Sequence, residues 1–287
     1  MSYHLIYLAH GDEIFLYETL LSIASFYSKN DNYNINICVY TDNPCFFEEK
    51  CDKRVNTIFI DKEILIKWKG EHNFIHLVKI EVLKDYCSKF SGGKYLFVDS
   101  DTFFTKNIRY LFEKISENSF VMHENEGLIK NSNRSHLKRL YKFLKNQPYD
   151  IDNCEMWNSG VIGFDSQNRN ILDFILQTTE ALYPQHQTHI MEQFSFAYHF
   201  QKQGTIKSTY SEIHHYWYGK KFRKTIIDFF NFYQNEPFEV WVKKCEQVNP
   251  EKVLAEVYKY KFGSFITKLW IKTTTFSKGR IKKIKFV

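Results

Sequence analysis

Residues 94–105 read KYLFVDSDTFFT, a short apolar run that ends abruptly in two carboxylates. The run at residues 95–98 is unbroken and follows two glycines, which is typical of a strand buried on both faces of a parallel sheet. Open α/β sheets bind their ligands at the edge where such strands end. If the strand geometry persists, the side chains of Asp99 and Asp101 point the same way. The sequence therefore predicts a ligand site at the end of a central strand.

The chemistry of this predicted site follows from its two acids. Carboxylates this close repel each other unless a cation lies between them. Their hard oxygen ligands suit Mg²⁺ or Mn²⁺, ions that commonly bridge a protein to phosphate. A turn with an exposed Asp-Ser-Asp is the alternative interpretation, since so short a motif also occurs by chance. Supporting residues elsewhere in the chain have to distinguish the two.

The rest of the chain alternates between apolar strands and amphipathic helices. With 287 residues, 44% of them hydrophobic, it is long enough for one α/β core with an appended segment. The order of the elements favours a doubly wound sheet, and we expect Ile75 on the buried face of the helix before the central strand. Residues 125–153 form a polar region. Periodicity predicts strands at residues 5–9, 35–40, 55–60, 120–123 and 161–164, and helices at residues 14–27, 72–90, 108–115 and 190–200.

Two further stretches carry polar groups beside apolar runs. In MWNSGVIGFD, residues 156–165, small residues would let the backbone approach a bulky ligand, and the amide of Asn158 can both donate and accept hydrogen bonds. A simple bend before a strand is the alternative there. In IMEQFSFAYHF, residues 190–200, Glu192 and Gln193 lie at the start of the predicted helix, where a capping role would also explain the glutamate.

The last informative stretch is EIHHYWYGKKF, residues 212–222. It combines a candidate metal ligand, His214 or His215, with a glycine and two lysines suited to phosphate. Surface histidine pairs and lysines usually have no such role when each is taken alone. The four stretches together favour a metal site that binds a phosphate-bearing ligand.

These stretches resemble the nucleotide-sugar glycosyltransferases of the GT-A fold, and within them the retaining galactosyltransferase and glycogenin-like group. The resemblance covers roughly residues 1–222. It implies a Rossmann-like α/β fold, a mixed sheet flanked by helices. The family's late His-x-x-Gly-x-x-Lys motif supplies a third metal ligand and a pyrophosphate-binding lysine; residues 215–220, HYWYGK, are similar with one extra residue between histidine and glycine. We favour His215 over His214 as the ligand. The other matching motifs are Asp99-Ser100-Asp101, Asn158-Ser159-Gly160 and Glu192-Gln193.

The resemblance implies a role for each motif. Mn²⁺ or Mg²⁺ would be held by Asp99, Asp101 and His215, and the substrates would be a nucleotide-sugar donor, here a UDP-sugar, and a glycan or lipid-linked acceptor. The catalytic residues would be Gln193, Glu192 and Asn158: Asn158 faces the donor sugar, Gln193 serves a retaining reaction and Glu192 an inverting one, and the sequence leaves the stereochemistry open. The residues expected to bind the nucleotide sugar are Ala9, His10, Asp12, Thr41, Asp42, Lys79, Ser100, Ser159, Gly160, Gly219 and Lys220, with Lys221 as an alternative to Lys220.

Charge separates the C-terminal part from the rest. Residues 257–287 carry eight lysines and Arg280 without an acid, whereas the preceding residues carry 30 basic and 33 acidic side chains. We therefore predict a glycosyltransferase domain at residues 1–235 and a basic, amphipathic helical extension at 236–287 that meets an anionic membrane surface rather than nucleic acid. Since the N-terminal residues lack a secretory pattern, we expect a cytoplasmic enzyme, peripheral on the inner face of the membrane.

Two other classes of function fit parts of the pattern. Asp99-Ser100-Asp101-Thr102 is also similar to the nucleophile motif of haloacid-dehalogenase-type phosphatases, but that motif normally follows the first strand and needs a later acidic pair. A nucleotide-sugar-binding module without catalysis is the other alternative. Metal-dependent binding of UDP without transfer would favour it.

Overall fold

The computed structural model describes residues 1–30, 34–219, 222–248 and 250. Of the extension predicted at 236–287, the part from residue 251 onward lies outside these described residues, as do the lysines Lys220 and Lys221. The strands are β1 (Tyr3–Ala9), β2 (Asn36–Thr41), β3 (Val55–Phe59), β4 (Lys94–Val98), β5 (Thr102–Phe104), β6 (Ser119–Met122), β7 (Asn125–Leu128), β8 (Glu155–Trp157), β9 (Val161–Asp165), β10 (Thr205–Ser208) and β11 (Ile213–His215). The helices are α1 (Glu13–Lys29), α2 (Pro44–Lys50), α3 (Lys62–Trp68), α4 (Leu77–Lys89), α5 (Arg109–Lys114), α6 (Ser135–Leu144), α7 (Ile171–Leu182), α8 (Met191–Gln203), α9 (Phe222–Phe232) and α10 (Phe238–Glu246).

Seven of the strands form one mixed sheet in the order β10-β6-β9-β4-β1-β2-β3. Strands β3, β2, β1 and β4 are parallel, as are β6 and β10, but β9 runs antiparallel to both β4 and β6. The sheet is therefore mixed, as predicted for the fold class, and only its first half has the parallel, doubly wound arrangement. Two small ribbons, β5 with β11 and β7 with β8, complete the described strands.

Successive side chains of each strand enter opposite hydrophobic layers because side chains alternate along a strand. In β1, for example, Ile6 belongs to the layer covered by α4, α6, α7 and α8, whereas Leu5 and Tyr7 belong to the layer covered by α1, α5, α9 and α10. All three side chains are completely buried. Burying an apolar side chain of this size contributes about 1.5–3 kcal/mol, so the two layers make the central strands a rigid platform.

Two predicted elements differ from the observed ones. The helix predicted at residues 72–90 begins only at Leu77, because Asn73 has a φ of 50°, a left-handed conformation that a right-handed helix does not accommodate. Ile75 consequently lies outside the helix and is 41% exposed, so its predicted burial is wrong. In the polar region 125–153, β7 and α6 were not predicted, although α6 buries leucines at helical spacing.

The structure also bears on the C-terminal part of the described chain. Helix α10 packs on α1, and its side chains Phe238, Trp241 and Cys245 are buried in the same layer as α1 and α9. Among the described residues, no helix combines the length and hydrophobicity needed to cross a bilayer.

Candidate functional site

Three predicted metal ligands converge just beyond the end of β4. Asp99 and Asp101 follow that strand, and His215 ends β11, which pairs antiparallel with β5 so that His215 lies opposite Thr102. The ligand atoms of the three side chains all lie within 4.8 Å of one another. His215 Nε2 is 3.1 Å from Asp101 Oδ1 and 3.8 Å from Asp99 Oδ2. The strand geometry does not persist through Asp99 and Asp101, because β4 ends at Val98 and the chain bends at Ser100 and Asp101.

Asn158 and Gly160 determine the orientation of the His215 ring. The backbone N–H of Gly160 donates to Asn158 Oδ1 at 3.0 Å, so this oxygen is an acceptor, and His215 Nδ1 lies 2.9 Å from the same oxygen. His215 Nδ1 must therefore carry the proton and donate it. Such an outer partner is what holds a metal-binding imidazole in a single tautomer. In the neutral ring the lone pair of Nε2 consequently faces Asp101.

The electrostatics of the cluster fit a bound cation. Burial disfavours the charged form of His215, but the nearby carboxylate of Asp101 outweighs it and raises the pKa of His215. Burial acts against the charge of Asp101 too, and His215 in turn lowers the pKa of that carboxyl. A neutral imidazole aimed at a carboxylate is repulsive, so the arrangement requires either a proton on Nε2 or a metal ion between the two groups. Two carboxylates and one imidazole form a donor set that Mn²⁺ accepts readily.

Lys79 brings a positive charge to the same cluster. It lies on α4, only 7% exposed rather than on an open helix face, and its Nζ is 3.0 Å from Asp99 Oδ1. It also donates to the backbone oxygen of Ser159 at 3.0 Å and lies 3.5 Å from Glu192 Oε1. Burial opposes the charge of Lys79, but Asp99 and then Glu192 outweigh it and raise its pKa. The ammonium group thus joins the Asp99–Asp101–His215 cluster to the start of α8.

Glu192 and Gln193 lie in the first turn of α8, where neither caps the helix. Glu192 is 1% exposed and accepts a hydrogen bond from the Ser159 hydroxyl at 3.0 Å. Burial raises the pKa of Glu192 to about 7. Gln193 is 8% exposed and its Nε2 donates to Glu126 Oε2 at 3.3 Å. The two residues therefore belong to different networks: Glu192 faces Lys79, and Gln193 faces β7.

The predicted nucleotide residues lie in two neighbouring turns. Strands β1 and β2 are in register with Ala9 opposite Thr41, so the turns after them are adjacent. Asp42 Oδ2 accepts a hydrogen bond from the backbone N–H of Gly11 at 2.9 Å, which joins the two turns. Burial lowers the pKa of His10 and keeps its ring neutral. Asp12 is exposed at the start of α1 and makes no side-chain capping bond. Both turns lie at the same end of the sheet as the candidate metal ligands, since β1 is parallel to β4.

The remaining predicted residues divide between the cluster and its surroundings. Ser100 is half-buried between the two aspartates, and Gly219 closes the turn after β11 by donating its N–H to the oxygen of Tyr216. His214 points away from the cluster, because side chains alternate in β11, and its Nε2 lies 3.0 Å from the Tyr218 hydroxyl. The structure thus brings His215, and not His214, to the aspartates.

Three residues near the cluster were not singled out from the sequence. His123 is 3% exposed, packs edge-on against the His215 ring at a centroid distance of 5.3 Å, and donates from Nε2 to the oxygen of Ile213 at 3.0 Å. Burial lowers the pKa of His123 to about 3, so the ring beneath His215 is neutral. The other two, Glu18 and Arg223, form an ion pair in which the acid is buried. A charged Glu18 on the apolar face of the first predicted helix was the signal that could have found them.

Comparison with known proteins gives the name of the fold. No family model matches the sequence, and no curated protein matches it. Solved structures are similar at low identity. One is the galactosyltransferase LgtC in complex with donor and acceptor sugar analogues, at 12% identity and a TM-score of 0.51, with 71% of this chain and 72% of that chain covered. Another is the bifunctional glycosyltransferase WbbM in its apo form, at 14% identity and a TM-score of 0.50, with 72% of this chain and 38% of that chain covered. A third is apo mouse xyloside xylosyltransferase 1, at 12% identity and a TM-score of 0.49, with 72% of this chain and 85% of that chain covered.

The first two of these similarities extend over about 70% of this chain and match its mixed sheet flanked by helices. The chain spans only 38% of the bifunctional protein. The fold predicted from the sequence motifs is confirmed: the chain has the GT-A fold.

Proposed function

We propose that the chain is a divalent-metal-dependent glycosyltransferase, which moves a sugar from a nucleotide diphosphate sugar to a glycan or lipid-linked acceptor. The observation that carries the proposal is the convergence of Asp99, Asp101 and His215 at the carboxyl edge of a GT-A sheet. Ligands of open α/β sheets gather at that edge. The similar solved structures are themselves a galactosyltransferase and a bifunctional glycosyltransferase, which agrees with this class of reaction.

The residues fit a resident Mn²⁺. Asp99 and Asp101 would supply oxygen ligands and His215 a nitrogen ligand, whose lone pair is already directed by Asn158. An imidazole in the donor set favours Mn²⁺ over Mg²⁺, which takes oxygen ligands almost exclusively. When bound, such a cation neutralises the charge that develops on the departing diphosphate. We infer a UDP-sugar as donor from the resemblance of the motifs.

Lys79 and Glu192 support the metal ligands rather than the acceptor. The ammonium of Lys79 holds the Asp99 carboxylate in place at 3.0 Å. Glu192 is 1% exposed and already bound to Ser159 and Lys79, so its carboxylate is poorly placed to remove a proton from an acceptor hydroxyl. A general base must come within hydrogen-bonding distance of that hydroxyl. This argues for the retaining outcome, in which Gln193 lies beside the reacting carbon.

The nucleotide would lie across the turns after β1 and β2. Ala9, His10 and Asp42 meet there, and the neutral His10 ring offers a flat surface for the base. The phosphatase alternative gains no support, since Asp99 follows the fourth strand of the chain rather than the first. A binding module without catalysis remains an outcome of the experiment below.

The experiment is a titration of the full chain with Mn²⁺ and UDP, followed by thermal denaturation and then by a transfer assay with UDP-sugars. Ligands that bind only the folded state raise its melting temperature, so UDP should stabilise the chain only when Mn²⁺ is present. Asp99→Asn should lose this effect and at least about 10²-fold of transfer, because an amide does not replace the carboxylate charge beside the cation. The control is Asp52→Asn, an acid far from the cluster that is paired with Arg54.

Three outcomes are decisive. Stabilisation by UDP with Mn²⁺, together with transfer, supports the proposal. Stabilisation without transfer to any acceptor or to water favours the binding module. Retention of activity in Asp99→Asn would show that the metal assignment is wrong.

The acceptor proposal depends on the basic residues 257–287, which lie outside the described residues. We propose that they attach a cytoplasmic enzyme to the inner face of the membrane, where a lipid-linked acceptor would be found. The composition supports this, since lysines interspersed with large apolar side chains favour anionic lipid. Full-length protein should sediment with anionic vesicles, and a chain ending at residue 258 should not. Equal binding by the two chains would contradict the proposal.

A further inference from the structure

An ion pair with a buried acid joins α1 and α9 near the cluster of Asp99, Asp101 and His215. Glu18 on α1 is 1% exposed, and both of its carboxylate oxygens accept from the guanidinium of Arg223, at 3.0 Å from Nε and 3.3 Å from Nη2. The guanidinium also lies over the Phe15 ring, 4.9 Å from its centroid. Two N–H bonds and one ring thus hold Arg223 in a single orientation.

Both helices of this pair are joined to the turn that holds Asp101. One helical turn after Glu18, the Ser22 hydroxyl lies 2.8 Å from that of Thr102, the residue after Asp101. On the other side, Tyr216, which precedes α9, donates its backbone N–H to the oxygen of Asp101 at 3.0 Å. The ion pair therefore lies close to a candidate metal ligand.

The exposure of the two partners differs. The side chain of Glu18 is closed off, whereas that of Arg223 is 27% exposed. Only two of the five guanidinium N–H groups are used by Glu18, and a guanidinium presents the rest as a planar fork that suits phosphate oxygens.

We infer that Arg223, oriented by Glu18, is a protein cation that binds the diphosphate of the donor, in addition to the lysine, Lys220 or Lys221, that the sequence motif implies. Arg223 is eight residues beyond His215 and lies in the first turn of α9. A diphosphate bound through a cation at Asp101 would have its charge close to this guanidinium. Glu18 acts as a positioning residue, since both of its carboxylate oxygens are bound to the arginine and its side chain is closed to a ligand. The inference rests on the proposed function.

The test uses the full chain and measures two affinities, for Mn²⁺ alone and for UDP at saturating Mn²⁺. Removing Arg223 by itself would leave Glu18 buried without a partner and could unfold the protein. The main variant is therefore the double change Glu18→Gln and Arg223→Met, which removes both charges and keeps the length of the side chains. Arg223→Lys is the conservative variant.

The chain offers a closely matched control. Arg54 donates to Asp52 from Nε at 2.8 Å and from Nη2 at 3.0 Å, and it lies over the Tyr27 ring at 4.6 Å. It has the same three contacts as Arg223, but it directly precedes β3 and so lies at the amino ends of the parallel strands. The candidate metal ligands lie at their carboxyl ends. Arg54→Met with Asp52→Asn should leave both affinities unchanged.

We expect the double variant to bind Mn²⁺ at least as tightly as the unaltered chain and to bind UDP about 10- to 100-fold more weakly, as for the loss of charge-assisted hydrogen bonds. Arg223→Lys should recover part of that loss. If UDP affinity is unchanged in the double variant, the inference is wrong while the proposed function stands. If Mn²⁺ and UDP affinity fall together, the ion pair is structural and the inference is also wrong. If the unaltered chain does not bind UDP with Mn²⁺, the proposed function fails and the inference fails with it.

Discussion

Gly160 lies closer to the His215 imidazole than a side chain at that position would permit. A Cβ atom there would be 2.2 Å from His215 Nδ1 and 2.3 Å from Cε1. Non-bonded carbon atoms need about 3.5–4.0 Å. In Gly160→Ala the ring must therefore retreat by more than about 1 Å, or the chain at the start of β9 must move by a similar amount.

This displacement of the His215 ring should weaken metal binding, because coordination tolerates little movement of a ligand. The distance between a metal ion and each ligand atom varies by only about 0.2 Å, so a His215 ring displaced by about 1 Å no longer coordinates the ion. The same displacement breaks the hydrogen bond from His215 Nδ1 to Asn158. Loss of such an orienting partner typically costs 10–100-fold in metal affinity, and we expect Mn²⁺ affinity to fall by about that factor. Overpacking should cost a further 1–3 kcal/mol, roughly, in the free energy of unfolding.

Gly163→Ala separates the two effects. Its Cβ would be 2.4 Å from Val121 Cγ2 and 2.9 Å from Ile115 Cδ1, so it overpacks the same strand without touching His215. Both variants should lose stability in thermal denaturation, but only Gly160→Ala should lose affinity when free Mn²⁺ is measured by electron paramagnetic resonance. If the two variants bind Mn²⁺ with equal affinity, then His215 is not a metal ligand whose position depends on residue 160.

Three further predictions concern neighbouring side chains. His215→Gln should lower Mn²⁺ affinity at least as much as Gly160→Ala does, and His214→Gln should preserve it, since only the former ring faces the aspartates. The reverse result in a Mn²⁺ titration would exchange the two roles. Asn158→Ala should weaken Mn²⁺ binding about tenfold in the same titration, because Nδ1 loses its acceptor, and an unchanged affinity would contradict this. Burial raises the pKa of Glu192 from 4.5 to about 7, so the folded state retains a proton that the unfolded state releases. Stability should fall by up to about 3 kcal/mol as the pH rises through this range, and denaturant unfolding of Glu192→Gln should lack that slope; an identical slope would contradict it.

The elements of the sheet were predictable because their signals are local. Apolar runs at residues 95–98 and 161–164 correspond to β4 and β9, and the helix predicted at 14–27 corresponds to α1. Hydrophobic periodicity depends on neighbours a few residues apart, which the sequence contains directly. The late start of α4 was not predictable, because it depends on the left-handed conformation of Asn73.

The sequence also determined which chemical groups were available to a site. The Asp-Ser-Asp after a buried strand, together with the Asn-Ser-Gly, Glu-Gln and His-His stretches, resembles the motifs of GT-A glycosyltransferases, and that resemblance predicted the fold and a metal-dependent transfer. It did not determine that β9 is antiparallel to β4, since strand direction depends on long-range connections.

The tertiary structure decided how those groups are arranged. The register of β11 against β5 turns His215, and not His214, towards Asp101, because alternate side chains in a strand face opposite sides. Folding also brings Lys79 to Asp99 and Glu192, Asn158 to His215, and Arg223 to Glu18. Each of these pairs joins residues on different elements. A sequence names such residues, but their distances depend on how whole helices and strands pack.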